Sequence, residues 1–501
     1  MYAVIKRSMR CNDSAMDGVV QYANRIGHTE SLQDALDIKV LGVCSGSGLN
    51  QLDVALIRYR QASPGAPLCL EILQVCAMGT PIFYIANEEQ YDSVPTLQAL
   101  RNHILTALRE VQCKPPTITS LNILLGYMFS NGIKAFCEKH GIPIASIDLV
   151  GTHVSGVRGH EPLQTNDITR HPLGWNSNIV AQTGISTAFD LAVIKGGTIR
   201  SHVSPLAFVD KLFLRHPYKF RACINIGEFV NCNFIPPMKD ETVYKRTTRD
   251  CGPGSLLIDY AMRYCTFNVC NQDNNGKFAS SGKVDQAIVK QFFRTYDYGR
   301  FVSSPSIARE MFGDHEAQRL IEACLSRKLS DADTVATVTR ITAENILRQY
   351  RRLLTLCFPE GQKVDELFIS GPSARNANII DFLEAELPES VITKPLDDIG
   401  IPGDTNEAVC YAHLALEAVL GQAGQGFASS LPSSTLSGSD SVLGKIVRGS
   451  RWDDLSSQLL RFSGGKPLSL AKDVRVACNL ENGVHHLGLR LENERKRTGS
   501  L

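Results

Sequence analysis

An α/β fold is predicted by three features of the chain. Val40–Val43 and Val54–Ile57 are short apolar runs of buried-strand length, joined by a small-residue loop that carries Gly46 and Gly48. Val94–Glu110 repeats apolar side chains at Leu97, Leu100, Ile104 and Leu108, the spacing of an amphipathic helix, with Pro95 near its first turn. Leu367–Leu383 reads as a strand, a small-residue turn at Ser370–Ser373 and a helix.

The remaining elements follow in order. Residues 1–38 show little periodicity and read as an extension. Leu121–Cys137 is a second helical pattern. The β-branched run ending at Gly151 in "IPIASIDLVGTH" reads as a buried strand, and "CINIGEFVNCNF" as a hairpin. Helices are predicted around Ser255–Tyr264, Val284–Phe293, Ala343–Leu354 and Ala408–Leu420. After Gly421 the composition turns Gly/Ser-rich, so 421–450 reads as a flexible linker and 451–501 as a tail ending in a charged stretch. No internal repeat of solenoid length is visible.

The chain has 501 residues, 43% hydrophobic and 21% charged, which suits a globular protein of two to four domains. A net charge of +1 gives no global field to draw it onto nucleic acid or a membrane. No apolar run approaches the ~20 residues of a bilayer span, and Lys6, Arg7 and Arg10 are followed by no apolar core of a secretory signal. The fifteen cysteines are scattered, with no paired spacing for zinc, and read as reduced thiols of a cytoplasmic protein.

Four loops could carry chemistry. In "VLGVCSGSGLNQLDVALIRYR" the glycines let backbone amides approach an anion, Ser45 and Ser47 add hydroxyls, and Asp53 could face a metal–phosphate complex through water. The loop is neither a Walker loop nor a dinucleotide fingerprint, because a strand follows it and no Gly-Lys-Ser/Thr is present. In "TTRDCGPGSLLIDY" Asp250 precedes a Gly-Pro-Gly turn and a helix start. A carboxylate held there suits a general base, while the plainer reading makes Asp250 or Ser255 a helix cap. Cys251 would feel the same helix dipole, but no His lies near it in sequence. "NIGEFVN" (Asn225–Asn231) is a tight hairpin around Gly227, and Ser370–Ser373 presents a helix N-terminus.

The order of these loops is the layout of actin/hexokinase-like ATPases. Over about Lys39 to Leu420 the chain resembles the anhydro-N-acetylmuramic acid kinase family. That family's GxMSGTSxDGxD loop appears as "GVCSGSGLNQLD" (Gly42–Asp53), and its HGQT segment as "GTHVSGVRGHEP", with His153 at the matching His. Its NIGGxxN hairpin is "NIGEFVN", its FDxGPGN is "RDCGPGS", and its GGGxxN loop is "SGPSARN" (Gly371–Asn376). "NQDNNGKFASSG" and "DDIGIPGDTNEAVCYAHLA" match two further segments.

The resemblance implies a two-lobed actin/hexokinase-like (ribonuclease H-like) fold with ATP and a sugar in the cleft. Lobe I would span about 39–220 and lobe II about 221–420, with helices exchanged near the end of the domain. It implies ATP and Mg2+ as cofactors, a small sugar acceptor and, as an open expectation, a homodimer. Asp250 becomes the base that activates water against C1 of an anhydrosugar. Gly42, Ser45, Gly46, Ser47, Gly48, Asp53, Asn225, Gly227, Gly252, Gly254, Gly371 and Asn376 become nucleotide contacts, with Asp53 toward the metal. His153 and Asp190 become acceptor contacts. This chain departs from the pattern at Asn50 and Gln51 in place of Asp-Gly, at Glu228 in place of a Gly, and at Pro372 among the adenosine-loop glycines. "SPSIARE" keeps Arg309 but lacks the family's Lys. The sugar segment is reduced to "FDLAVIKGGTIRSHVSPLAF", where Asp190 is retained and Lys195 falls near a second acid. Two readings follow: a kinase whose acceptor has drifted, toward a levoglucosan-like sugar for example, or a pseudokinase that binds nucleotide without turnover.

Overall fold

Strand β1 (Leu36–Cys44) begins the order on which the cleft is built. Its alternation puts Leu36, Ile38 and Val40 on one face and Leu41 and Val43 on the other, and both faces are buried. It pairs antiparallel with β2 (Leu52–Gln61), which pairs antiparallel with β3 (Leu68–Met78). Helix α1 (Pro115–Lys139) covers the Leu41/Val43 face and contains the predicted Leu121–Cys137 segment. β4 (Leu149–His153) lies parallel to β1 on its other side, two-residue β5 (Val157–Arg158) and β6 (Arg170–His171) pair together, and α2 (Asn176–Thr183) leads to β7 (Ser186–Ile194), parallel to β4. Short β8 (His202–Val203) pairs with β7, and α3 (Pro205–Leu214) closes this half.

The computed structural model describes residues 35–45, 51–78, 115–153, 157–158, 170–171, 176–194, 202–240, 248–296, 314–422, 441–468, 470–471 and 473–477. The helix expected over Val94–Glu110 lies outside these residues, as do Gly46, Ser47, Gly48, Asn50, Lys195 and Arg309.

The second half repeats the first. β9 (Arg221–Ile226), β10 (Phe229–Ile235) and β11 (Thr248–Pro253) form an antiparallel meander, followed by α4 (Ser255–Cys265), α5 (Gln286–Thr295), α6 (Asp314–Ser326) and α7 (Asp331–Cys357). β12 (Glu366–Ser370) then adds parallel to β9. After α8 (Ala377–Glu386), β13 (Ile392–Pro395) adds parallel to β12. The strand order β11-β10-β9-β12-β13 reproduces β3-β2-β1-β4-β7 in sequence and sense. This duplication, with no repeat visible in the sequence, is the ribonuclease H-like pair of an actin/hexokinase-like fold.

Sequence periodicity placed only Ala343–Leu354 of α7. Its first half is rich in threonine, and Thr334, Thr337, Thr339 and Thr342 are buried hydroxyls that mask the apolar stripe. The helix starts at a capping box, Ser330 with Asp333.

Helix α9 (Asn406–Gln422) crosses back onto the first sheet. It lies directly on the backbone of β1 and β4, because a Cβ on Gly42 would overlap the Ala408 carbonyl and one on Gly151 the Tyr411 carbonyl. The reading of 421–450 as linker and 451–501 as tail is corrected over the described residues between Ser441 and Ala477. β14 (Ser441–Val447) pairs antiparallel with β7, and β15 (Val474–Ala477) extends the same sheet beside β3. Between them α10 (Trp452–Ser463) buries Trp452, Leu455, Leu459 and Phe462, a helical stripe present in the sequence beyond the Ser-rich stretch that suggested disorder. Residues from Leu36 onward form one compact unit.

Candidate active site

A cleft partly open to solvent opens between the two sheets. Ser45, Gln51 and Asp53 come from the β1–β2 turn, Asn225, Gly227 and Glu228 from the β9–β10 turn, Ser373 and Asn376 from the turn after β12, and Asp404, Asn406 and Glu407 from the start of α9. Of the expected nucleotide contacts, Ser45, Asp53, Asn225, Gly227 and Asn376 line it.

Four glycines have other tasks. Gly42 is inside β1 beneath α9 and faces helix backbone, which corrects its reading as a phosphate contact. Gly371 holds φ +93° where a Cβ would press on the backbone of Ile226, so it closes the β12 turn onto β9. Gly252 and Gly254 hold the Gly-Pro-Gly turn against the neighbouring hairpin. Gly254 N and Leu256 N donate to the Glu228 carbonyl at 2.8 and 3.3 Å, and Ser255 N donates to the Gly227 carbonyl at 2.8 Å. The α4 N-terminus expected to face an anion is therefore already satisfied by the hairpin. Asp250 and Ser255 do not cap α4 either, since Gly254 holds the cap position and Asp250 sits in β11.

The cleft is acidic. Asp53, Glu228, Asp259, Asp273, Asp404 and Glu407 line it, and among the described residues no Lys, Arg or His does. Asp53 is 4% exposed and accepts from Gln51 Nε2 at 2.8 Å; burial first, then the charges of Glu407 and Asp404, push its carboxyl well above the ordinary range. Burial likewise raises Glu407, which accepts a weak bond from Cys44 Sγ at 3.9 Å. Asp273 instead binds its own loop, accepting from Phe278 N and Ala279 N at 2.8 and 3.0 Å. Asn376 caps α8, its Oδ1 accepting from Asn378 N at 3.1 Å.

Of the residues expected to meet the acceptor or to act as base, His153 ends β4, Asp190 lies on β7 of the same sheet and Asp250 lies on β11 of the other sheet, and none of the three lines the cleft. Asp53 and His153 flank Cys44 in register on β2 and β4, and Asp190 follows on β7. His153 stacks on Tyr411 of α9, ring centroids 4.5 Å apart, and burial pushes its imidazole down to about 4, so it is neutral at physiological pH. Asp190 holds φ +54° at a bulge in the β7–β14 pairing and forms an ion pair with Lys445 at 2.6 Å. Asp250 lies on β11 beside Asn231, whose Nδ2 donates to Oδ1 at 2.9 Å; burial nevertheless raises its carboxyl above the ordinary range. Cys251, next to it, is a buried thiol directed at the Arg249 carbonyl, 3.5 Å away, and no nucleophile.

Sequence reasoning missed Asp404, Asn406, Glu407 and Lys445. The first three lie in "GDTNEAV", matched as part of a family segment and its helix but given no site role, and Lys445 lies in the supposed linker.

A duplicated ribonuclease H-like fold closing on an acidic cleft defines a two-lobed kinase-type protein of the actin/hexokinase class. The sequence profile of the anhydro-N-acetylmuramic acid kinase family matches residues 38–449, and the chain belongs to that family. Curated relatives bearing that name include one from Caldanaerobacter subterraneus subsp. tengcongensis, 26% identical over 81% of this chain and 96% of the relative. Another, from Bacillus cereus strain G9842, is 27% identical over 81% of this chain and 98% of its own length. Among solved structures, a ROK family glucokinase from Streptomyces griseus in complex with glucose and AMPPNP covers 75% of this chain and 99% of its own at 13% identity and a TM-score of 0.31. The fold assignment rests on the strand order rather than on that distant likeness. Among the described residues no helix is long and apolar enough to cross a membrane.

Proposed function

We propose that this protein is an ATP-dependent kinase that opens a 1,6-anhydro bridge in a sugar with phosphorylation at O6. Asp250 carries the reading. It is a largely buried carboxylate, steadied by one amide and made more basic by burial, on the strand whose Gly-Pro-Gly end is clamped to a hairpin of the nucleotide cleft. In the proposed step Asp250 takes a proton from water as the water oxygen bonds to C1. The C1–O6 bond breaks, O6 forms a bond to the γ-phosphorus, and ADP leaves with the electrons of the broken phosphoanhydride bond. Neutral His153, braced by Tyr411, would hold a sugar hydroxyl.

The lining suits Mg2+. The charges of Glu407 and Asp404 add to burial in raising Asp53, and although Arg375 pairs with Asp404 no cationic side chain is among the described lining residues, so a nucleotide would need a divalent ion between phosphate and protein. Asp53 and Glu407, both in the cleft wall, would hold it through water. When bound, the ion supplies charge neutralisation for the phosphates.

The pseudokinase reading is favoured by one observation, the placement of Glu228 in the cleft wall. Product formation from Mg-ATP and a panel of 1,6-anhydrosugars, including plain levoglucosan-like ones, separates the two. We expect a sugar 6-phosphate by mass spectrometry with wild type and none with Asp250→Asn, which should keep ATP affinity within about twofold. No product from folded wild type would leave the nucleotide-binding reading.

A further inference from the structure

Asn406 is the first residue of α9 and only 4% exposed, yet its side chain has an unused donor. Asn225 Nδ2 donates to Ser370 Oγ at 3.2 Å and to Asn406 Oδ1 at 3.3 Å. Those bonds fix which end of the Asn406 amide faces Asn225 and leave Nδ2 without a partner. A buried donor left unpaired is costly, and an oxygen of a bound ligand would offset that cost.

The surroundings say which oxygen. Asn406 lines the same cleft as Asp53 and Asn225 and precedes Glu407, whose charge acts on Asp53, and through Asn225 it is tied to Ser370 at the end of β12. Five residues further along the same helix Tyr411 braces His153, the proposed sugar contact, about 7.5 Å along the helix axis from Asn406.

We infer that Asn406 Nδ2 donates to a non-bridging oxygen of the terminal phosphoryl group of the nucleotide, and so positions the group that is transferred. The inference rests on the cleft being a nucleotide site. It adds a phosphate contact from α9, an element outside every loop that resembles a phosphate motif. It also makes Asn225 a positioning residue, because Asn225 sets the orientation of the Asn406 amide.

Calorimetric binding of Mg-AMP-PNP and Mg-ADP to the full chain tests it. Asn406→Asp keeps the shape and the acceptor for Asn225 but replaces the donor with a carboxylate; Asn406→Leu removes the donor without adding charge. We expect Asn406→Leu to weaken AMP-PNP about tenfold, Asn406→Asp to weaken it more, and ADP to change less than threefold in both. Thermal melts identify a variant that fails to fold, and the other then decides. Equal losses for both nucleotides, or no loss for either, would overturn the assignment. If wild type binds neither nucleotide, the assignment and the kinase reading fall together. If it binds both with the expected contrast but phosphorylates no sugar, only the kinase reading falls.

Discussion

The cleft and the proposed acceptor residues handle charge in different ways. Six carboxylates line the cleft and among the described residues no cationic side chain does, although Arg375 pairs with Asp404 at 3.4 Å, and burial with the charges of Glu407 and Asp404 leaves Asp53 reluctant to ionise. At the acceptor end each polar group has a partner: Lys445 for Asp190, Asn231 for Asp250, and the Tyr411 ring against a neutral His153. In the cleft the carboxylates are held mainly by neutral donors such as Gln51, Ser255 and the loop amides of Phe278 and Ala279, so excess negative charge remains that a divalent cation entering with a nucleotide would offset. The acceptor residues carry less excess charge, and a neutral sugar would suit them.

Replacing the base should break the comparison most sharply. Asp250→Asn removes chemistry at one end and leaves the other untouched, so turnover should fall by about 10²–10⁴-fold with ATP affinity unchanged. A parallel loss of nucleotide affinity would show that the two ends are not separable.

A second test lies behind the nucleotide end. Asp210 on α3 is buried next to Cys223 and Asn233, and burial raises its carboxyl from 3.8 to about 7. In the unfolded chain it would lose its proton near the ordinary value, while the folded protein keeps that proton up to about 7. Its contribution to stability is therefore present below the ordinary carboxylate range and is lost as pH rises through about 7. The loss is on the order of 4 kcal/mol. Urea unfolding at pH 5 and pH 8 should show the part of that drop that falls between pH 5 and about 7, roughly 3 kcal/mol, in wild type and a flatter profile for Asp210→Asn. An equally steep profile in the variant would assign the pH dependence to the cleft acids instead.

Much of this was legible in the sequence, and the gaps have physical causes. The hairpin at Gly227, the Gly-Pro-Gly turn and the strand–turn–helix at Gly371 were readable because special backbone geometry restricts residue choice. Gly42 was misassigned because a glycine that admits a helix looks the same as one that admits a phosphate. Asp404, Asn406 and Glu407 were not visible as a site because they enter it through a helix start distant in sequence from the other loops. The twofold architecture was hidden because the halves share strand order and sense, which many sequences satisfy. The Trp452–Phe462 stripe was present but outweighed by the Ser-rich stretch before it.

At the acceptor end the Asn231 amide holds the Asp250 carboxyl below where burial alone would put it. Asn231→Leu should therefore move the acid limb of the kcat/KM profile to higher pH, because more of the base is protonated at a given pH. Near neutrality the loss should be about tenfold, the scale of one hydrogen bond to a charged group. A limb displaced to lower pH would mean that Asn231 bonds the protonated form.

The smallest expected effect addresses the feature that most favours a protein without turnover. Glu228 is 8% exposed in the cleft wall, at the tip of a hairpin whose carbonyls are occupied by the Gly-Pro-Gly turn. A carboxylate there opposes phosphate unless a cation stands between them. Glu228→Gly should tighten Mg-ATP several-fold at low divalent concentration and less at saturating Mg2+, since the ion then screens the same repulsion. Calorimetry at two Mg2+ concentrations checks both halves of the expectation. Tightening that is equal at both would locate the repulsion away from the metal, and weaker binding would make Glu228 part of the ion's own setting. In that last case the departure from glycine would be a gain of cation affinity, and the acidic end of the cleft would be more complete than its missing side-chain cations suggest.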